Sequence, residues 1–329
     1  MVSPILFTAT LLLSGLRCVQ AWFRVACTSP LVSERVDPII NPGVIPANHV
    51  HTIHGGSNFA ANSTYDQLVR SDCTSCKVVQ DKTNYWFPKL YFKDPAVGKY
   101  EEVANGGLLI YYQNRGDEDV QNGGRGLKAF PPGFKMISGR PTRRGTKYAL
   151  SDSSQGALSE RAQFYSCLRY GSAQGYDGIG KSVGTDSPKP TVSQASALVF
   201  IFLLAGTETS PGTFTHLRVA GINPTAGRLS IPLGLSWHGD FQNGWEIDAL
   251  QNAIDKCDNR NDATGTGSTE ACRYLTVQDS NVAGNCKIRP VVNEVIGGAG
   301  IRLDKLPGCN PLQYGPQDAV MFMDSNCPV

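Results

Sequence analysis

The chain has 329 residues, with 30 basic and 28 acidic side chains for a formal net charge of +2. That near balance, with no basic block beyond Arg140, Arg143 and Arg144, argues against nucleic acid as a partner. The length allows one large β domain or two smaller ones with a substantial core.

Residues 1–21 read as a secretory signal. Ile5 to Leu16 is apolar but too short to span a bilayer, and Val19-Gln20-Ala21 sets small residues ahead of a cleavage before Trp22. The mature chain is therefore expected to be secreted to the extracellular space, with no transmembrane segment. Cys18 leaves with the signal. The remaining cysteines, Cys27, Cys73, Cys76, Cys167, Cys257, Cys272, Cys286, Cys309 and Cys327, are odd in number and are expected to form disulfides with one thiol left over. Cys73-Thr74-Ser75-Cys76 is a C-x-x-C. A zinc site needs a second pair at matching spacing and none exists, so both cysteines read as disulfide partners.

From Trp22 to Pro46 the text is strand-like, with Phe23 and Val25 and then Val36, Ile39 and Ile40 between prolines. The next stretch, Asn48 to Phe59, packs His49, His51 and His54 into six positions and then a Gly55-Gly56 pair. In an extended strand His49 and His51 project from one face, with Val50 and Ile53 available for burial. The glycine pair allows a tight turn or a close approach of backbone to ligand. Asn62-Ser63-Thr64 is an N-glycosylation acceptor at Asn62, which places this segment at the surface. Thr64 to Arg70 has room for one or two helical turns.

Asp81 to Phe92 alternates aromatic and polar residues, a pattern for a strand with one wet face. Its aromatics have two readings, sandwich core or a platform on which sugars stack; Tyr85 and Trp86, with the distant Trp245, are the candidate substrate-binding residues. Asp81 itself reads as a turn residue that bonds its own backbone. Gly106 to Tyr112 and Lys128 to Gly139 are further strands. Trp237 to Trp245 holds His238 and Asp240, and Gly244 to Cys257 has Ile247, Leu250, Ala253 and Ile254 at helical spacing with acids in the first turn and Lys256 at the end. Beyond Asp258 the chain is loop-rich and expected to be held by disulfides rather than by core.

If the two histidine stretches meet, His49, His51, His238 and Asp240 form the catalytic candidate. Three imidazoles and a carboxylate suit a divalent metal, zinc before copper or manganese, with His49, His51 and His238 as ligands. The same set can do acid–base work without metal, Asp240 with a histidine partner. The plainer alternative is that each imidazole is a hydrogen-bonded core or turn residue.

Six ordered motifs carry a resemblance: Asp37-Pro38-Ile39-Ile40-x-Pro42-Gly43, His49-Val50-His51 with Gly55, Ser57 and Phe59, Cys73-Thr74-x-Cys76, Asp81-Lys82-Thr83-Asn84-Tyr85-Trp86, Phe130-Pro131-Pro132-Gly133-Phe134-x-Met136, and His238-Gly239-Asp240-Phe241-x-Asn243-Gly244-Trp245. In that order they resemble the family called domain of unknown function nineteen-ninety-six, whose members are mostly secreted fungal proteins. The likeness covers roughly residues 23–150 and 236–310. It implies a β-rich secreted protein with a cell-wall or polysaccharide role, and supplies no catalytic mechanism. Residues 181–235 depart from the pattern. Codons permitted for Leu203 to Thr209, read two bases later, give Ser-Cys-Trp-Asp-Gly-Asn, a motif of the family, so this segment is expected to be translated in the wrong frame.

The fold expected is all-β, a sandwich or jelly-roll with one or two short helices and a disulfide-rich C-terminal part. A single family domain covers 22–310 and a tail 311–329. The function expected is a hydrolase acting on cell-wall polysaccharide, the alternative a non-catalytic protein that binds glycan or metal.

Overall fold

The structure is a computed structural model that describes residues 22–94, 96–103, 105–113, 128–145, 147, 154, 198–203, 238–257, 268–313 and 316–328. The signal, Cys167 and most of the departing segment lie outside them. Strands β1 (Trp22–Cys27), β2 (Val32–Glu34), β3 (His51–Gly55), β4 (Asn84–Pro88), β5 (Tyr91–Lys93), β6 (Tyr100–Glu102), β7 (Leu108–Gln113), β8 (Lys135–Gly139), β9 (Leu198–Leu203), β10 (His238–Gln242) and β11 (Arg302–Leu303) form three sheets, every ladder antiparallel. Their orders are β1-β7-β9, β2-β3-β4-β10-β8 and β11-β6-β5. The all-β expectation holds.

The first two sheets share a core. Phe23 and Val25 of β1 and Ile110 and Tyr112 of β7 meet Tyr85 and Phe87 of β4 and Phe241 of β10. The β4 pattern has no wet face: Tyr85 and Phe87 enter this core, while Trp86 points the other way into a second cluster with Ile53 and Phe59. A strand in the middle of a sheet covered on both sides buries both of its faces.

Helix α1 (Tyr65–Leu68) is a single turn closed by a capping box between Thr64 and Gln67. Helix α2 (Ile247–Lys256) starts with the first apolar position of its periodicity and not at Gly244, because Gly244 and Trp245 are still tied to Thr83 and Asp81 and Glu246 is the cap. Its buried stripe of Leu250, Ala253 and Ile254 closes one end of the main core. Helix α3 (Ser280–Gly284) is another short turn.

Gly55 and Gly56 do approach a backbone closely, but it is the chain's own. A β-carbon on Gly55, whose φ is +110°, falls 1.7 Å from the Thr83 carbonyl oxygen, and one on Gly56 falls 2.6 Å from that of Lys82. Only glycine lets these two segments touch.

Among the described residues four disulfides join Cys27 to Cys76, Cys73 to Cys286, Cys257 to Cys272 and Cys309 to Cys327. The C-x-x-C cysteines take separate partners. Beyond α3 the chain wraps back over the histidine stretch. Buried Arg35 anchors it through Glu294 (2.7 Å) and Asp324 (2.7 Å), and Asn48 bonds tail residues on both sides, donating to the Phe322 carbonyl and accepting from Asn310 Nδ2. Among the described residues no helix is long and apolar enough to cross a membrane.

Candidate metal centre

The register of the five-stranded sheet builds the site. In β3–β4, His51 pairs with Pro88 and Ile53 with Trp86; in β4–β10, Trp86 pairs with Asp240. Ile53, Trp86 and Asp240 therefore form one row across a face. Two residues along, by the same register, His51 and His238 flank Pro88 on the same face. Their α-carbons are two strand spacings apart, about 10 Å. The compact pyrrolidine between them leaves room for both rings to lean together. Opposite His238 on β8 stands Gly139, which adds no side chain.

Three imidazoles converge. The Nε2 of His238 lies 3.1 Å from Nε2 of His49 and 3.3 Å from Nε2 of His51, and one nitrogen from each ring falls within 4.8 Å of the others. The His51 ring has a fixed tautomer. Its Nδ1 is 3.1 Å from the Val36 carbonyl, which can only accept, so Nδ1 carries the proton and Nε2 presents a lone pair to the cluster. Burial, and the neighbouring imidazoles, push the His49 pKa down to about 3 and that of His51 well below its ordinary value. The His49 and His51 rings are neutral, and each directs a nitrogen toward Nε2 of His238.

Asp240 sits beside them, its Oδ2 3.8 Å from His238 Nε2, which is too long for a hydrogen bond. It is fully buried and neither carboxyl oxygen has a hydrogen-bond partner; Trp86 Nε1, on the neighbouring strand, is likewise without one. Burial, and then the charge of Asp37, push its pKa up to about 8. Asp37 is the residue that sequence reasoning missed as a neighbour of the site: it is buried, and its Oδ1 accepts the N–H groups of Ile39 and Ile40. Only its place in the motif with Pro38 hinted at a role.

The donor set fits a first-row divalent cation. A tetrahedral ion bound at about 2.0–2.1 Å separates its ligand atoms by about 3.3 Å, close to the 3.1 and 3.3 Å that separate His238 Nε2 from the nitrogens of His49 and His51. The His51–Val36 bond is the kind of outer partner that orients a ligating imidazole. A buried carboxyl with no partner, beside three such nitrogens, can act as a further ligand or a proton acceptor once a bound cation has favoured its ionised form.

The other candidates separate from the site. His54, on the opposite face of β3, stacks on Phe87 in the main core. Tyr85, Trp86 and Trp245 have no exposed surface, which is the sandwich-core alternative of the two readings of these aromatics. Their packing explains why. Trp245 Nε1 donates to Tyr112, Tyr112 and Tyr85 share a 2.6 Å hydroxyl bond, and Tyr85 donates to Asp81. Asp81 also caps its own turn at the Thr83 N–H. Asn62 is exposed, as an acceptor for glycosylation must be.

His49 and His238 form part of the wall of a cavity of about 160 Å³ that is also lined by tail residues between 306 and 313 and between 319 and 322. The sequence profile described as Domain of unknown function (DUF1996) matches residues 37–200, which supports that family for the chain. The matched span contains His49 and His51 and stops inside β9; His238 and Asp240 lie beyond it. No curated protein and no solved structure matches.

Proposed function

We propose that this is a secreted protein with a mononuclear divalent-metal centre, ligated by His49, His51 and His238, that hydrolyses cell-wall polysaccharide. The observation that carries it is the meeting of three imidazole nitrogens beside the unpartnered carboxyl of Asp240. A bound divalent cation supplies Lewis-acid activation of water or of a substrate oxygen. His51, locked by Val36, orients the set; His49, the least buried of the three, and His238 face the cavity. Asp240 is placed to accept or return a proton, and Asp37 holds the loop behind it. An ordinary glycosidase flanks the scissile bond with two carboxyls. Of the two buried carboxyls here, Asp37 is taken up by the N–H groups of Ile39 and Ile40 and only Asp240 is without a partner, which favours a metal-assisted route. Four disulfides suit an oxidising, extracellular setting.

The wrong-frame expectation stands as a proposal too. The eight described cysteines are consumed in four disulfides, so the Ser-Cys-Trp-Asp-Gly-Asn text supplies a partner for Cys167. The test of function is reducing-end release from glucans, chitin and xylans by the frame-corrected protein, in which Asp240→Asn abolishes release. A second reading, a binding protein without catalysis, is favoured by the enclosure of His51 and Asp240; glycan binding without release of ends would select it.

A further inference from the structure

The cavity over the histidines is lopsided in charge. Among the described residues two lysine or arginine side chains, Lys89 and Arg144, line it, and no Asp or Glu does. Lys89 is already neutralised by Glu102 at 2.8 Å. Arg144 is held differently. Its Nε donates to the Gln313 carbonyl (3.0 Å) and its Nη1 to the carbonyls of Pro141 (2.8 Å) and Arg143 (2.9 Å). Those contacts fix the plane of the guanidinium without cancelling its charge. Among the described residues its Nη2 makes no hydrogen bond, and the carboxylate that acts on it, Asp318, does so through space while paired with Arg140 at 2.5 Å. Such a guanidinium, braced by carbonyls and bordering a cavity with no acid among its described lining residues, is suited to a ligand carboxylate.

Resting on the metal-centre reading above, we propose that the cavity accepts the carboxylate of an acidic glycan, a uronic-acid residue, and that Arg144 is the binding residue that selects it. A cation on the histidines adds to the same field and strengthens attraction for an anion. Thr142 and Asn310, also on the wall, are neutral polar groups compatible with sugar hydroxyls. The tail thus acts in recognition as well as in covering the site: Gln313 from the tail fixes Arg144, and the Cys309–Cys327 bridge closes the loop that carries it.

The test compares titration calorimetry of the zinc-loaded full chain with an oligogalacturonate, its methyl ester and a sulfated glycan of similar length, alongside measured zinc content. The ester keeps the sugar and removes the charge. The acid is expected to bind at least tenfold more tightly than the ester, Arg144→Gln to erase most of that difference, and zinc content to be equal in both proteins. Should Arg144→Gln fail to fold, Arg144→Lys keeps the charge without the planar fork and is expected to lose at least threefold. Equal affinity for acid and ester, no binding of either, preference for the sulfated glycan, or an unchanged affinity in the Arg144 variants overturns the proposal. Those results with zinc still bound leave the metal centre standing; failure to take up zinc counts against the metal centre itself.

Discussion

At the scale of single residues the site turns on which nitrogen of His51 carries its proton. The Val36 carbonyl decides it, so His51→Gln, which loses the paired orientation, should lower bound metal at least tenfold while the protein still folds, as read from metal analysis and circular dichroism. Asp240→Asn should leave the melting temperature unchanged or raised, because a buried carboxyl without a partner contributes nothing to stability, yet remove activity. Asp81, like Asp240, is a buried carboxyl whose raised pKa makes folding pH-dependent. Burial outweighs the bonds from Tyr85 and Thr83 and pushes Asp81 up to about 7 from an ordinary 3.8. The folded state then holds a proton that the unfolded state has released. The stability tied to Asp81 is full below about pH 4 and lost as pH rises through 7, by at most about 4 kcal/mol. Urea midpoints at pH 4 and pH 7 should differ less in Asp81→Asn than in the parent.

At the scale of elements, the strands and α2 were legible because period-two and helical patterns follow directly from which side chains face a core. Leu250, at the centre of the α2 stripe, is fully buried, and Leu250→Ala should cost about 2–5 kcal/mol in chemical denaturation. What the patterns could not give was depth. In β4 the polar positions looked solvated, but Asn84 is buried with its amide donating to the carbonyls of His54 and Gly56. An alternating strand reads the same whether its polar groups meet water or buried partners. The aromatic residues stayed open to two readings for the same reason. Sequence records that Trp86 and Trp245 are large, flat and apolar, and a core needs those properties as much as a sugar platform does. Gly55 was legible as a special backbone position, while the segment it accommodates, at Thr83, was not, since close approach between distant segments leaves no local mark.

At the scale of the whole molecule, the histidine cluster joins residues nearly two hundred positions apart, and the sequence named its members without fixing how they meet. The residue types were visible; the register that sets His51 and His238 on either side of Pro88 is a property of strand order, which local patterns do not encode. The tail was legible only as disulfide-rich. Its packing on Arg35 and Asn48 explains why it belongs to the site. Replacing Cys309 and Cys327 together by serine should speed hydrogen exchange across residues 306–327 and loosen the cavity wall, without exposing the main core, whose contacts do not include that bridge. Transcript sequencing across the codons of Leu203 to Thr209 tests the frame: a base change or splice junction there is expected, and an uninterrupted read in the present frame contradicts it.

The central claim, that three imidazoles from two segments nearly two hundred positions apart hold one divalent ion, is most directly tested by X-ray absorption spectroscopy of the purified protein after zinc loading. The account predicts one zinc per chain with three nitrogen neighbours at about 2.0–2.1 Å and a loss of that shell in His238→Ala. A spectrum of fully hydrated zinc, or one unchanged by His238→Ala, would contradict it.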